Sequence, residues 1–456
     1  MKLWDYIKNN MLLHPKSTVS ENNAVITYEE LVIWAEHYGK KLRGKECIAI
    51  KCNSEMAAAM ALLACFAGNV TAVPLSDRYG ENHCRRIFEI IRPEWIITDY
   101  YGSLQVINIE DSVYKKPKTK PALIMFTSGT TGYPKGAMIQ EENLIGNIRD
   151  ICSYFKIDEK DKILISRPLH HSAVLTGEFL TSLVNGVHIR FFSGKFNPIQ
   201  LYNIMEDNGI TIFCCTPTII KNIMLILGNK KPLKLKKVVI SGECMSIIDA
   251  KSIRKYVGDI EIYSVYGLTE ACPRVCYLEP ELFDVLCGTV GRPVQSDKIK
   301  IVTDLGKEAD YDEEGVLWVS GNIMSGYYED DEATKKTIKD GWLCTGDIAV
   351  VDKKGYVTIK GRADDLIIRA GMNIYPSEIE VELYSDPRVK EVVAYQIKDK
   401  NPVSIGLIIS GDFQNEDEVR QLCRKKLCDY QMPGEIIIVD MIPRNGSGKL
   451  IREQVK

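Results

Sequence analysis

Short apolar runs alternate with stretches of helical periodicity over most of this chain. Residues 47–51, 70–75 and 95–98 are brief apolar runs that predict strands. Between them, residues 55–66 predict an Ala-rich helix with Ser54 as N-cap and Gly68 as its stop. A further helix is expected near 84–91, ended by Arg92-Pro93, and residues 26–31 open one upstream. Residues 122–126 form an unbroken apolar run of the kind found in buried strands. Leu144, Ile148, Ile151 and Phe155 then fall at helical spacing behind Glu141-Glu142. Residues 163–167, 211–215, 237–240, 261–265, 315–320 and 356–360 read as further strands, with helices from Pro217 and Ser246. The alternation predicts an α/β protein whose large N-terminal domain, 1–361, holds doubly wound parallel or mixed sheets. Residues 362–456 read as a small mobile α+β domain: a helix capped by Ser377, strands at 391–397, 404–409 and 435–440, and a helix over 416–428.

Composition narrows the class. A chain of 456 residues, 45% hydrophobic and 26% charged, suits two or three ordinary globular units. Its net charge of −3, with both signs interspersed, gives no electrostatic case for nucleic acid or an anionic membrane. None of the 14 cysteines forms a C-x-x-C, and six scattered histidines show no zinc spacing. Cys214, Cys215, Cys272 and Cys276 read as small buried apolar residues, a usage that suits a reducing cytoplasm. The opening MKLWDYIKNN has no signal-peptide core, and the most apolar stretch, 56–68, is too short to span a bilayer.

The candidate chemistry starts where the 122–126 strand empties into Thr127-Ser128-Gly129-Thr130-Thr131-Gly132. Hydroxyls and two glycines offer donors and a concave backbone suited to anionic oxygens. Lys135, held between Pro134 and Gly136, adds a full positive charge. A plain linker would not be fed by a buried strand, and a Walker A loop would need Ser or Thr directly after the lysine. The run predicts a loop that wraps a polyphosphate. Downstream, Tyr266-Gly267-Leu268-Thr269-Glu270 follows another buried strand. There Tyr266 can stack on a purine, Thr269 can bond a phosphate, and Glu270 can hold magnesium together with substrate oxygens.

The loop T-S-G-T-T-G-x-P-K-G closely resembles the phosphate-binding loop of the adenylate-forming superfamily of acyl- and aryl-CoA synthetases, luciferases and peptide-synthetase adenylation domains. The resemblance covers about the whole chain, with motifs in family order: Thr27–Leu31, the Tyr266–Glu270 run, Gly326-Tyr327-Tyr328, the W-x-x-T-G-D run ending at Asp347, Gly361-Arg362-Ala363-Asp364, and a terminal Ser447-Gly448-Lys449. It implies that Gly242 and Glu243 lie along the adenine, that Asp347 accepts the ribose hydroxyls, and that Arg362 meets ribose or phosphate. His171 would lie beside the acid's carboxylate, Asp364 would be the hinge, and Lys449 the catalytic lysine. Amino-acid-activating relatives carry an aspartate at the place of 168–172. None stands there, which points away from an α-amino acid. Ile368 and Ala370 replace lysines found in some relatives.

The activity so implied uses ATP and Mg²⁺ to turn an acyl or aryl carboxylic acid into acyl-AMP with release of pyrophosphate. The acyl group then passes to a phosphopantetheine thiol, that of CoA or of an acyl or peptidyl carrier protein. A stand-alone adenylation enzyme that loads a carrier protein is the second reading. A non-catalytic nucleotide-binding relative is the third, and Glu270, Asp347 and Lys449 argue against it.

Overall fold

The computed structural model describes residues 1–100, 103–128, 133–194, 196–228, 230, 232–295, 298–369, 372–397 and 403–442. Two compact units result. The first takes in Met1–Met245, Asp249–Ile299 and Trp318–Thr345; the second takes in Ser246–Ile248, Lys300–Leu317 and the described part of Gly346–Lys456. The line at 361/362 drawn from the motifs lies within the second.

Two large sheets organise the first unit. In the nine-stranded sheet, Glu261–Tyr266, Lys237–Ile240, Ile212–Cys215, Lys162–Ile165, His188–Phe191 and Thr18–Glu21 are neighbours in that order and all parallel. Antiparallel strands close both edges. The six-stranded sheet has a parallel centre, Trp95–Tyr100, Cys47–Ile50, Thr71–Pro74 and Leu123–Ser128. Hairpin partners Ser103–Asn108 and Pro134–Ile139 flank it. The parallel strands are continuous apolar runs because both faces are covered: Cys47–Ile50, Thr71–Pro74 and Ile212–Cys215 are buried throughout.

The helix Glu55–Gly68 is apolar on nearly every side and touches strands of both sheets, so it is a core helix with no wet face. Ser54 caps it as expected, its side chain accepting from the Ala57 N–H. The stop differs from the sequence expectation. Gly68 is still helical, and Asn69, at φ 55°, makes the left-handed exit. Gly68 is small for packing instead: a Cβ there would lie 2.8 Å from the Gly39 carbonyl oxygen, and one on Gly39 would lie 2.8 Å from the Ala67 Cβ. These positions let Tyr28–Leu42 and Glu55–Gly68 approach at backbone distance. Thr27 and Glu30 form a reciprocal capping box at the start of Tyr28–Leu42.

The second unit has a three-stranded sheet, Val389–Ile397, Ser404–Gly411 and Glu435–Ile438, with helices Pro376–Tyr384 and Glu416–Lys426. Ile379, Leu383, Leu407, Ile409, Val419 and Leu422 form its core. Ser377 is not the cap expected from the sequence. Tyr375 holds that position with Pro376 behind it, and the Ser377 hydroxyl donates to the Lys360 carbonyl at 2.8 Å. Proline at the first helical position already suits the helix start, so the hydroxyl is available for a longer-range bond.

Candidate active site

In the nine-stranded sheet the strands that precede the motifs are parallel neighbours, so their C-terminal ends lie along one edge. Arg167 to Ser172 follow Lys162–Ile165, Thr216 follows Ile212–Cys215, Ser241 to Glu243 follow Lys237–Ile240, and Gly267 to Glu270 follow Glu261–Tyr266. The C-terminal edge of an open parallel sheet is where ligands bind in such folds. The alignment is visible in bonds: the Ser172 and Thr269 hydroxyl oxygens are 3.0 Å apart, joining two of these loops.

The phosphate-loop candidate sits on a hairpin that the sequence reading did not foresee. Leu123–Ser128 pairs antiparallel with Pro134–Ile139, and Thr127 is opposite Lys135. Gly136 is required there, since a Cβ would lie 2.8 Å from Ile124 Cγ2 and 3.2 Å from the Phe126 ring. Gly129, Thr130, Thr131, Gly132 and Lys449 lie outside the described residues, as does the Ser128 side chain. The rest of the hairpin is tied to the Glu270 loop by residues 324–328. Tyr328 N–H donates to the Gly136 carbonyl at 2.7 Å, and Met324 N–H to the Glu270 carbonyl at 2.7 Å. Between them stands Tyr327, whose hydroxyl donates to Glu270 Oε1 at 3.0 Å while its ring lies 5.3 Å from Lys135 Nζ. Lys135, Tyr327 and Glu270 thus form one chain from cation to carboxylate. Tyr327, buried at 8% exposure, belongs to a run recognised in the sequence only as a family segment.

Gly267 is fixed by crowding, because a Cβ would overlap the Pro273 carbonyl oxygen at 1.4 Å. Gly242 adopts φ 90°, a left-handed turn that favours glycine. Glu243 accepts from the Thr218 N–H at 3.2 Å and its hydroxyl at 2.6 Å, which locks this loop onto the start of helix Pro217–Leu227. The His171 and His170 rings lie 4.1 Å apart. Burial lowers the His170 pKa to about 3, so that imidazole is neutral at physiological pH, and its Nε2 is enclosed with no hydrogen-bond partner. In the second unit, Asp347 and Arg362 are cross-strand partners, with Arg362 Nη1 donating to Asp347 Oδ1 at 3.0 Å.

Sequence reasoning passed over a buried charged group. Arg167 Nη2 donates to the Glu178 carboxylate and, at 3.1 Å, to the Ser241 hydroxyl. Glu178 is fully enclosed within the π-helical turn Leu175–Leu180, and Arg274 is 3% exposed. Burial pushes the Glu178 carboxyl pKa up, against the pull of Arg167 and Arg274. The available signal was a lone acid inside the apolar run 174–184.

Comparison with known proteins decides the family. The model of the AMP-binding enzyme family matches residues 10–328, and that of the AMP-binding enzyme C-terminal domain matches 378–449. The chain belongs to the AMP-binding enzyme family. It is an enzyme, an AMP-forming acid–thiol ligase of the acyl- and aryl-CoA synthetase type. Within the family it is 26% identical to a 2-succinylbenzoate–CoA ligase of Bacillus subtilis, over 98% of this chain and 97% of that one. A feruloyl-CoA synthase of Amycolatopsis is 30% identical over 73% of this chain and 69% of its own. Among solved structures, the o-succinylbenzoate CoA synthetase of Bacillus subtilis with its acyl-adenylate intermediate superposes with a TM-score of 0.87, at 26% identity, covering 99% and 97% of the two chains. The same enzyme with ATP and magnesium ion gives 0.86, at 26% identity over 99% and 98%. The large α/β domain and small C-terminal domain expected from the sequence agree with these structures. No helix among the described residues is long and apolar enough to cross a membrane.

Proposed function

We propose that this enzyme activates a small carboxylic acid, acyl or aryl, with ATP and passes the acyl group to the thiol of CoA. The observation that carries the reading is the Lys135–Tyr327–Glu270 chain, which joins the cation of the phosphate loop to the metal-binding carboxylate. Chemically, a carboxylate is a poor acyl donor because oxide would have to leave. Attack on the α-phosphorus of ATP converts it to an acyl-AMP and expels pyrophosphate.

In this reading residues 127–132 and Lys135 cradle the phosphates, and Thr269 and His171 border the acid's carboxylate. Tyr266 stacks on the purine beside Gly242, Glu243 and Gly267, while Asp347 and Arg362 are the ribose-contacting residues. Lys449 offsets charge between the attacking carboxylate and the α-phosphate. Glu270 fits magnesium: it is half-buried, Tyr327 orients it, and its carboxylate is the hard oxygen donor that this cation takes together with phosphate oxygens. Bound magnesium would neutralise phosphate charge. The C-terminal residues would turn about Asp364 between adenylation and thiol transfer.

Relatives named for 2-succinylbenzoate, indoleacetate and feruloyl-CoA support an aromatic acid, and their CoA-ligase names support CoA as acceptor. Ile368 and Ala370, where some relatives carry lysine, favour as a second reading a carrier protein that presents the same thiol. Fourteen free cysteines support a cytoplasmic setting. The test is acid-dependent exchange of labelled pyrophosphate into ATP over a panel of carboxylic acids. Release of ADP and phosphate instead of AMP and pyrophosphate would refute the reading.

A further inference from the structure

The group formed by Arg167, Glu178 and Arg274 does not balance. Two guanidiniums face one carboxylate, and Glu178 is the acid that both feel. Arg167 and Glu178 are bonded to each other. Arg274 instead lies beside the Tyr154 hydroxyl, a neutral group. Three polar atoms of the group are enclosed with no hydrogen-bond partner: Arg167 Nε, Arg274 Nε and Glu178 Oε2. Buried charge is normally paired, and an excess of one cation in the interior is costly unless something anionic arrives to meet it.

Location says what that anion is. Arg167 precedes the His171 loop and reaches the Ser241 hydroxyl. A Cβ on Gly242 would lie 3.6 Å from Arg167 Nη1. Glu178 lies in the turn that continues from Ser172, whose hydroxyl meets Thr269. Arg274 follows the Thr269–Glu270 loop, and its Cα lies 3.2 Å from the position of a Cβ on Gly267. Gly177 lets the guanidinium lie against the helix, since a Cβ there would be 2.6 Å from Arg274 Nη2. The charged group therefore stands behind the three loops that the proposed function assigns to the acid and the nucleotide.

We propose that the acid substrate carries a second anionic group, and that Arg274 with Arg167 forms the subsite that receives it. Glu178 holds Arg167 in place and so acts as a positioning residue. This rests on the adenylation reading above and narrows its substrate class to dicarboxylic acids. One carboxylate is activated near Thr269 while the other neutralises the excess cation.

The test measures pyrophosphate exchange with matched pairs that differ by one carboxylate: phthalate against benzoate, succinate against butanoate, and 2-succinylbenzoate against 3-benzoylpropanoate. In the pair whose skeleton fits, the dicarboxylate should have the higher kcat/KM by roughly tenfold to a hundredfold, the range for a charge-assisted bond. Arg274→Met leaves a neutral Arg167–Glu178 pair, so it should fold, lose that preference through KM, and still turn over the monocarboxylate. Arg274→Lys should restore part of the preference. Equal or better use of the monocarboxylates by the unaltered enzyme overturns the inference and leaves adenylation standing. Exchange with no acid of these pairs or of the wider panel above would overturn the adenylation reading, and the inference with it. If Arg274→Met does not accumulate, the ratios of the unaltered enzyme decide alone.

Discussion

Glu55 offers a quantitative test of how the site loop is held. It is the first residue of the core helix Glu55–Gly68, and its Oε2 accepts the Leu169 N–H at 2.9 Å. That bond anchors the loop that leads to His171. The carboxyl borders a cavity of about 10 Å³, room for one water, together with Cys52, Asp77 and His170. Burial raises its pKa from 4.5 to about 7; the Leu169 N–H opposes the shift, and Asp77 and Glu21 add to it. The folded-state pKa lies above the unfolded one, so the native protein holds the proton more tightly. Its stabilisation is complete below pH 4.5 and is lost as pH rises through about 7. At about 1.4 kcal/mol per unit the shift sets an upper figure of about 3.5 kcal/mol, and residual solvent contact brings the expectation to about 2 kcal/mol. Glu55→Gln keeps an acceptor for Leu169 and removes the titration. Thermal unfolding followed from pH 5 to 8.5 should show the two proteins close at pH 5. At pH 8.5 the variant should melt higher by about 2–4 °C, allowing about 1–2 °C per kcal/mol for a unit this large. Parallel curves across that range would refute the assignment of a buried, proton-holding carboxyl.

Three further outcomes are expected. Tyr327→Phe removes the donor to Glu270 and should raise the KM for magnesium-ATP by about tenfold with little change in stability, read by exchange kinetics against magnesium concentration. Gly267→Ala should abolish exchange and lower the melting temperature, because the new methyl group overlaps the Pro273 carbonyl and the Thr269–Glu270 loop must shift. Lys449→Ala should slow acyl-AMP formation by on the order of a hundredfold or more, while thioester formation from pre-made acyl-AMP survives; equal loss in both half-reactions would withdraw its role.

Local rules carried much of this protein. Short apolar runs marked the buried parallel strands because a strand covered on both faces has no polar side to show. Ser54 announced its helix because capping is settled within four residues of chain. The motifs pointed to the family because each is a run of particular residue types in a fixed local order, legible without the fold. Tertiary structure decided what depends on neighbours distant in sequence. Gly68 looked like a helix stop, yet it is small because another helix crosses it at Gly39. Residues 134–139 carry no strong strand pattern, since Pro-Lys-Gly hides it, and only pairing with Leu123–Ser128 makes them a strand. Tyr327 lies 57 residues from the Glu270 that it orients. Arg167, Glu178 and Arg274 come from separate stretches of chain, and in the sequence only Glu178, a lone acid inside the apolar run 174–184, hints at burial. Their imbalance exists only once the fold has buried them together, where water can no longer screen it.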